Sequence, residues 1–399
     1  MQISLNEAPR SRPGPQGWSP LALGFRPFFL LAGLAALVLL LLWLGLWHHP
    51  MTVEGYYGRI GWHSHEMLFG YTLAVIAGFL LTAVRNWTGI ETPKGIALAG
   101  LALIWLLARI LHWIPSIPPG LTAILDLIFL PCLVLALAKP LWMGTNKANR
   151  VFFLLLGGMF LANLLIHAQA LGWATGTAAR GTELMMNLVL LTLLLVTGRV
   201  MPFFTEKAVA ASRPRVWPWL ERSGFALLSA LTLAQLFGLG GWPVALLAFA
   251  LAITQGWRLW GWYHPGVWPI PILWVLYTGY AWLVMAFAFL GLTQLGLFPP
   301  SLTAHAFTLG AFGVLTLGMM ARVALGHTGR PMRSASAMNL GFVLMNVAAA
   351  IRVFAVYLMP QWYLIWIILA GALWLVAFAI FLAIYTPILL RPRIDGRPG

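Results

Sequence analysis

The chain has 399 residues, 61% of them hydrophobic and only 8% charged, with 21 tryptophans and 23 phenylalanines; such a composition suits lipid and excludes an ordinary water-soluble domain. The net charge of +15 does not point to nucleic acid, because the basic residues are scattered over many loops instead of forming one patch. The single cysteine, Cys132, lies in an apolar segment, which excludes an internal disulfide, a thiolate metal cluster and the paired-cysteine attachment of a c-type haem.

Residues 1–20 read as a polar tail. The first apolar run, about 21–47, is too long for a secretory signal and lacks a small-residue cleavage site, so it is expected to stay as a membrane helix. Further runs follow at about 62–84, 95–113, 119–138, 151–173, 182–201, 223–240, 242–262, 268–292, 300–324, 336–358 and 362–390. Each is near the ~20 residues that cross a bilayer, and 391–399 form a second tail. The expected fold class is an all-α integral membrane protein, one domain of twelve transmembrane helices over 21–390. With the N-terminus inside, twenty lysines and arginines between Arg10 and Arg397 fall on cytoplasmic segments, against Arg59 and Arg180 outside. That asymmetry predicts a cytoplasmic location for both ends and explains most of the net charge. The longest loop, 201–222, is too short to build a core, so the chemistry must lie in the bundle or at its rims.

In chain order, His63, His65 and Glu66 open the second span, and Arg109 and His112 close the third. Asp126 lies two turns into the fourth, and His167 stands near the outer end of the fifth with Asn163 one turn before it. Glu183 and Asn187 open the sixth, His305 lies one turn into the tenth, and Arg352 is near the outer end of the eleventh. At ~1.5 Å of rise per residue, most fall within roughly 10 Å of the outer helix ends. Of nine histidines, only His264 and His327 fall on the inner side. Ionisable groups at membrane depth cost about 3 kcal/mol each unless paired or hydrated, so this layer reads as a functional site facing the bundle interior. The plainer reading is that His112, Asp126 and Glu183 reach headgroup water and merely close helix ends. The histidine bias favours a metal site. On a regular helix His63, Glu66 and Met67 share a face while His65 points ~200° from His63. Either the helix begins between the two histidines, or they serve two sites.

The second span reads HEMLFGYTLAVIAGFLLTAVRNWTG from His65, and the tenth HAFTLGAFGVLTLGMMARVALGHTG from His305. His65, Gly70, Gly78, Thr88 and Gly89 fall on His305, Gly310, Gly318, Thr328 and Gly329, all offset by 240. A parallel duplication is expected, with spans 1–4 resembling 9–12. It would set His65 and His305 at equal depth across a pseudo-twofold axis, an arrangement suited to one haem held by two imidazoles. Glycines would let the macrocycle or a neighbouring backbone approach, although such spacing is also the ordinary mark of helix packing. Arg109 and Arg352 would pair with the propionates.

Taken together, GFRPFFLLAG, GWHSHEMLFGYTLAVIAGFLLTAVRNWTG, GRVMPFFT from Gly198 and HAFTLGAFGVLTLGMMARVALGHTGRP resemble the NnrS family over nearly the whole chain. The resemblance implies a polytopic protein of the bacterial inner membrane, associated with denitrification and the nitric oxide response and containing haem and copper. It assigns no ligands; those rest on depth and the repeat. The expectation is a haem b protein surrounded by membrane lipid. It would bind nitric oxide and reduce it to nitrous oxide near the periplasmic face, as a nitric oxide reductase-like oxidoreductase. His65 and His305 are expected to ligate haem, and His63, His112 and His167 copper or a second metal, with Glu66, Glu183 and Asp126 carrying protons. A quinol is the expected electron donor, there being no cysteine cluster and no soluble redox domain. The competing readings are a metal or small-solute transporter, whose site belongs nearer the midplane, and a haem sensor or scaffold that binds nitric oxide without turnover.

Overall fold

The computed structural model describes residues 17–46, 56–114 and 116–397. Most of the expected N-terminal tail, together with His48, His49 and the last two residues, lies outside the described residues. Twelve long helical segments and one short 3-10 turn, Pro265–Val267, follow one another among the described residues, and no strand occurs among them. The long segments are α1 (Phe25–Leu46), α2 (Arg59–Thr88), α3 (Ile96–Leu111), α4 (Pro119–Met143), α5 (Lys147–Ala170) and α6 (Thr177–Ala208), then α7 (Pro218–Leu236), α8 (Trp242–Trp262), α9 (Pro271–Gln294), α10 (Pro300–His327), α11 (Ser336–Leu358) and α12 (Pro360–Leu390).

Ten of these are long and apolar enough to cross a membrane, two fewer than the sequence reading expected. The two that fall short are α3, with 16 residues, and α7, which carries Glu221 in its first turn. At ~1.5 Å per residue α3 reaches about 24 Å, less than a hydrocarbon core of about 30 Å.

Proline starts several helices, where its missing N–H costs nothing and its φ is already helical: Pro119, Pro218, Pro271 and Pro300 occupy first-turn positions. Gly89 ends α2 with φ +70° and Gly329 follows α10 with φ +73°, the left-handed stop that glycine adopts without steric cost.

The helices that carry the motifs are not regular. In α2, an α-helical turn ends at His65 and a π-helical stretch runs over Glu66–Thr72. In α10 the same change comes directly after His305, over Ala306–Gly313. A third π-helical stretch, Ile351–Ala355, holds Arg352 in α11. π-Helical insertions turn side chains off the regular repeat and gather at functional sites.

Burial makes α2 and α10 the central pair: 89% and 94% of their most apolar stretches are buried, against 33–67% for the other eight spans. They meet through Tyr71, whose hydroxyl bonds to Thr316 Oγ1 at 2.5 Å. The repeat glycines serve the packing of this pair against its neighbours, Gly78 against α1 and Gly318 against α9. A Cβ on Gly78 would stand 2.9 Å from Phe28 Cβ, and one on Gly318 would stand 2.7 Å from Val275 Cγ1. The end of the bundle carrying His63 and His305 is called here the histidine end, and the opposite one, with Arg199, Arg222 and Arg258, the arginine end.

Candidate functional site

The polar layer of the histidine end resolves into two centres that lie on opposite sides of α2. Around the change from α- to π-helix at Glu66 the motif residues part: His65 and Glu66 enter one centre, while His63 and Met67 line the other.

The first centre is a buried network drawn from α2, α3, α4 and α5. Arg109 Nη1 donates to Glu66 Oε1 at 2.8 Å, and its Nη2 donates to Asp126 Oδ1. Asp126 Oδ2 accepts from Asn163 Nδ2 at 2.8 Å and faces His167 Nε2 at 2.9 Å and His65 Nε2 at 3.1 Å. His65 Nδ1 faces Glu66 Oε1 at 3.0 Å, and its Nε2 also lies 3.0 Å from Asn163 Oδ1. The ring is clamped between Tyr57 at 4.4 Å and Phe69 at 4.9 Å. Behind His167, the Tyr56 hydroxyl meets Nδ1 at 2.7 Å. Tyr56 and Tyr57 precede the helix, and burial raises both phenols above their ordinary range, so both remain protonated donors.

This arrangement has a definite chemical demand. Both nitrogens of His65 face oxygen acceptors, and a neutral imidazole has a single N–H. Either a second proton or a cation at Nε2 satisfies the geometry. His65, Asp126 and His167 offer ligand atoms within 4.8 Å of one another, a spread that small side-chain adjustments close to the ~2 Å bonds of a first-row metal. Each has a supporting partner at its rear: Glu66 behind His65, Tyr56 behind His167 and Arg109 behind Asp126. Such partners fix ligand orientation in metal sites, and two imidazoles with one carboxylate suit a borderline divalent ion.

The second centre is a cavity of about 220 Å³ between α1, α2, α6, α10, α11 and α12. Its walls are mostly apolar and include Trp43, Tyr71 and Trp374; the polar groups entering it are led by His63, His305 and Arg352. His305 Nδ1 donates to the Ser301 carbonyl at 2.6 Å, which leaves Nε2 with its lone pair free. His63 stacks on Trp43 at 4.3 Å. Arg352 is 8% exposed, and its Nη1 has no hydrogen-bond partner. An unpaired buried guanidinium nitrogen is costly in lipid, so the cavity is built for an acceptor.

Several sequence expectations change here. His65 does not face His305; the histidine that shares the cavity with His305 is His63, because His63 and His65 stand on opposite faces of one α-helical turn. Arg109 is engaged by two carboxylates and is not available to a propionate, whereas Arg352 is. His112 cannot ligate a metal in this arrangement: its Nδ1 donates to the Ala108 carbonyl at 3.2 Å and its Nε2 accepts from Trp62 Nε1 at 2.9 Å. Glu183 joins neither centre, and faces Gln235 of α7, which also accepts from Asn187 at 2.8 Å. Tyr56 and Tyr57 were missed by sequence reasoning, since two tyrosines in a loop carry no periodic signal.

A family profile described as NnrS protein matches residues 19–393. The chain belongs to the NnrS family. NnrS proteins are membrane proteins of the nitric oxide response, and the matched region contains every residue of both centres. None of the curated proteins matches the chain.

Proposed function

We propose that this NnrS protein is a haem b membrane protein that binds nitric oxide and reduces it to nitrous oxide, with the haem held in the cavity by His63 and His305. The observation that carries this reading is the set of nitrogen groups in a largely apolar cavity: two imidazoles from different helices and one buried guanidinium whose Nη1 lacks an acceptor. In kind, the set fits the group: imidazole nitrogen for iron, a guanidinium for a propionate, and aromatic faces for a flat macrocycle. When bound, haem supplies a redox-active iron for nitric oxide chemistry.

The chain does the rest. Ser301 holds the His305 ring in one tautomer, and Trp43 holds the plane of His63. Apolar walls admit a neutral diatomic gas from the lipid and exclude bulk water. Reduction of two nitric oxide molecules to nitrous oxide and water consumes two electrons and two protons. A quinol is the proposed donor of the electrons. Glu66, whose Oε2 accepts no hydrogen bond, is the proposed holder of a proton. His65, Asp126 and His167 are proposed to bind copper or another first-row ion. The same reading has twelve crossings of a bacterial inner membrane with both termini cytoplasmic, supported by the distribution of arginine and lysine. A duplication of α1–α4 as α9–α12 is supported by the π-helical onsets at Glu66 and Ala306 and by the glycine stops at Gly89 and Gly329.

Optical spectra of detergent-purified protein from a haem-sufficient host, oxidised, reduced and after anaerobic nitric oxide, test the reading together with nitrous oxide detection. Wild type should show a b-type spectrum and form nitrous oxide. His63→Ala and His305→Ala should lose the spectrum, and His65→Ala should keep it. Folded wild type without haem would undo the proposal and return a transporter to the front; retention of haem by both His63→Ala and His305→Ala would remove the ligand assignment.

A further inference from the structure

At the arginine end, α6, α7 and α8 enclose a groove of about 440 Å³ lined by Arg199, Arg222, Arg258 and Glu221. Three guanidiniums against one carboxylate leave the groove with a formal charge of +2. The three are not equivalent. Arg258, 2% exposed, is fully engaged: it donates to both Glu221 oxygens, at 2.9 and 2.5 Å, to Gln255 and Tyr280, and to the Leu194 carbonyl. A Cβ on Gly198 would collide with this pair, so glycine lets the pair lie against the α6 backbone. Arg199 uses one nitrogen on Asn149 at 2.8 Å and lies over Trp87. Arg222 is exposed and makes no hydrogen bond or ion pair among the described residues. The excess charge therefore belongs to Arg199 and Arg222, and the groove's only carboxylate is already taken.

The surroundings specify the kind of anion. Trp217 stacks on Trp260 at 6.3 Å, and Trp219 meets Trp257 edge-on at 5.7 Å. Trp219, Trp257 and Trp260 are 53%, 45% and 64% exposed. Exposed tryptophans gathered at one level of a membrane bundle mark the headgroup region. The rest of the groove wall is Leu194, Leu195 and Phe225, which suits hydrocarbon. We infer that the α6–α8 groove binds the phosphate of an anionic phospholipid between Arg199 and Arg222, with its acyl chains on the apolar wall. Basic pockets between membrane helices take such headgroups. The site is independent of what fills the cavity at the other end.

The test is native mass spectrometry of delipidated protein titrated with phosphatidylglycerol, cardiolipin or phosphatidylcholine, each with and without excess inorganic phosphate. Wild type should retain the anionic lipids over phosphatidylcholine. Each arginine-to-glutamine change should weaken that retention roughly five-fold, and Arg199→Gln with Arg222→Gln roughly thirty-fold. If Arg199→Gln fails to fold for want of its Asn149 contact, Arg222→Gln carries the test alone, and Arg222→Lys should retain most of the binding. Equal retention of phosphatidylcholine, or no change in the variants, would overturn the inference. Full displacement of lipid by inorganic phosphate would make this a free-phosphate site and overturn the lipid assignment.

Discussion

At the scale of single residues, two arginines at similar depth behave differently because their neighbours differ. Arg109 pairs with both Glu66 and Asp126, so removing its charge would strand two buried carboxylates; breaking a buried ion pair from one side costs about 3–5 kcal/mol. Arg109→Met should therefore lower the melting temperature of the detergent-solubilised protein markedly, whereas Asp126→Asn leaves Arg109 paired with Glu66 and should lower it less. Asp126→Asn should also abolish metal retention at the His65 and His167 centre, read by elemental analysis. Arg352 is the reverse case. Its buried Nη1 has no partner, so Arg352→Met should leave the cofactor-free protein as stable as wild type or slightly more so, while weakening cofactor retention. Melting curves of the cofactor-free and cofactor-loaded forms separate the two effects, and a large loss in the cofactor-free form would mean that Arg352 is structural.

At the scale of elements, the glycine pattern of α2 and α10 is explained by close approach of helices. Gly78 lies against Phe28 and Phe29, and Gly318 against Val275 and Leu276. Gly78→Ala and Gly318→Ala should each cost about 1–3 kcal/mol through overpacking, measured by thermal unfolding in detergent. Gly100→Ala, with no atom within 4 Å of the added Cβ, should be neutral. Equal effects at all three positions would show that helix propensity, and not packing, governs them. The start of α2 is the second lesson at this scale. A regular helix already separates His63 from His65 by ~200°, and because α2 begins at Arg59, before both, the two histidines serve two sites. The sequence reading left open whether the helix begins between the two histidines or they serve two sites, because the spacing of apolar residues does not fix the residue at which a helix starts.

At the scale of the whole molecule, the short α3 decides the topology. If α3 crosses, the link between α4 and α5 near residue 145 lies in the cytoplasm; if it does not, that link is periplasmic. An alkaline phosphatase fusion at residue 145 should be inactive and a fluorescent protein fusion there bright. The opposite pattern would remove α3 from the crossings and invert the orientation of α4 to α6. Helix existence and depth were legible from sequence: twelve apolar runs became twelve helical segments, and His65, Glu66, Arg109, Asp126 and His167 did fall at one level. Depth is legible because rise per residue is constant along a helix. Which way each side chain faces, and which helix stands opposite, is not written in any one segment. Only the tertiary structure decided that His65 joins Asp126 and His167, that His63 joins His305, and that Arg109 is spoken for while Arg352 is not. Those pairings depend on the rotation of each helix about its axis and on its neighbours, which are fixed jointly by the packing of α2 and α10 against the rest of the bundle.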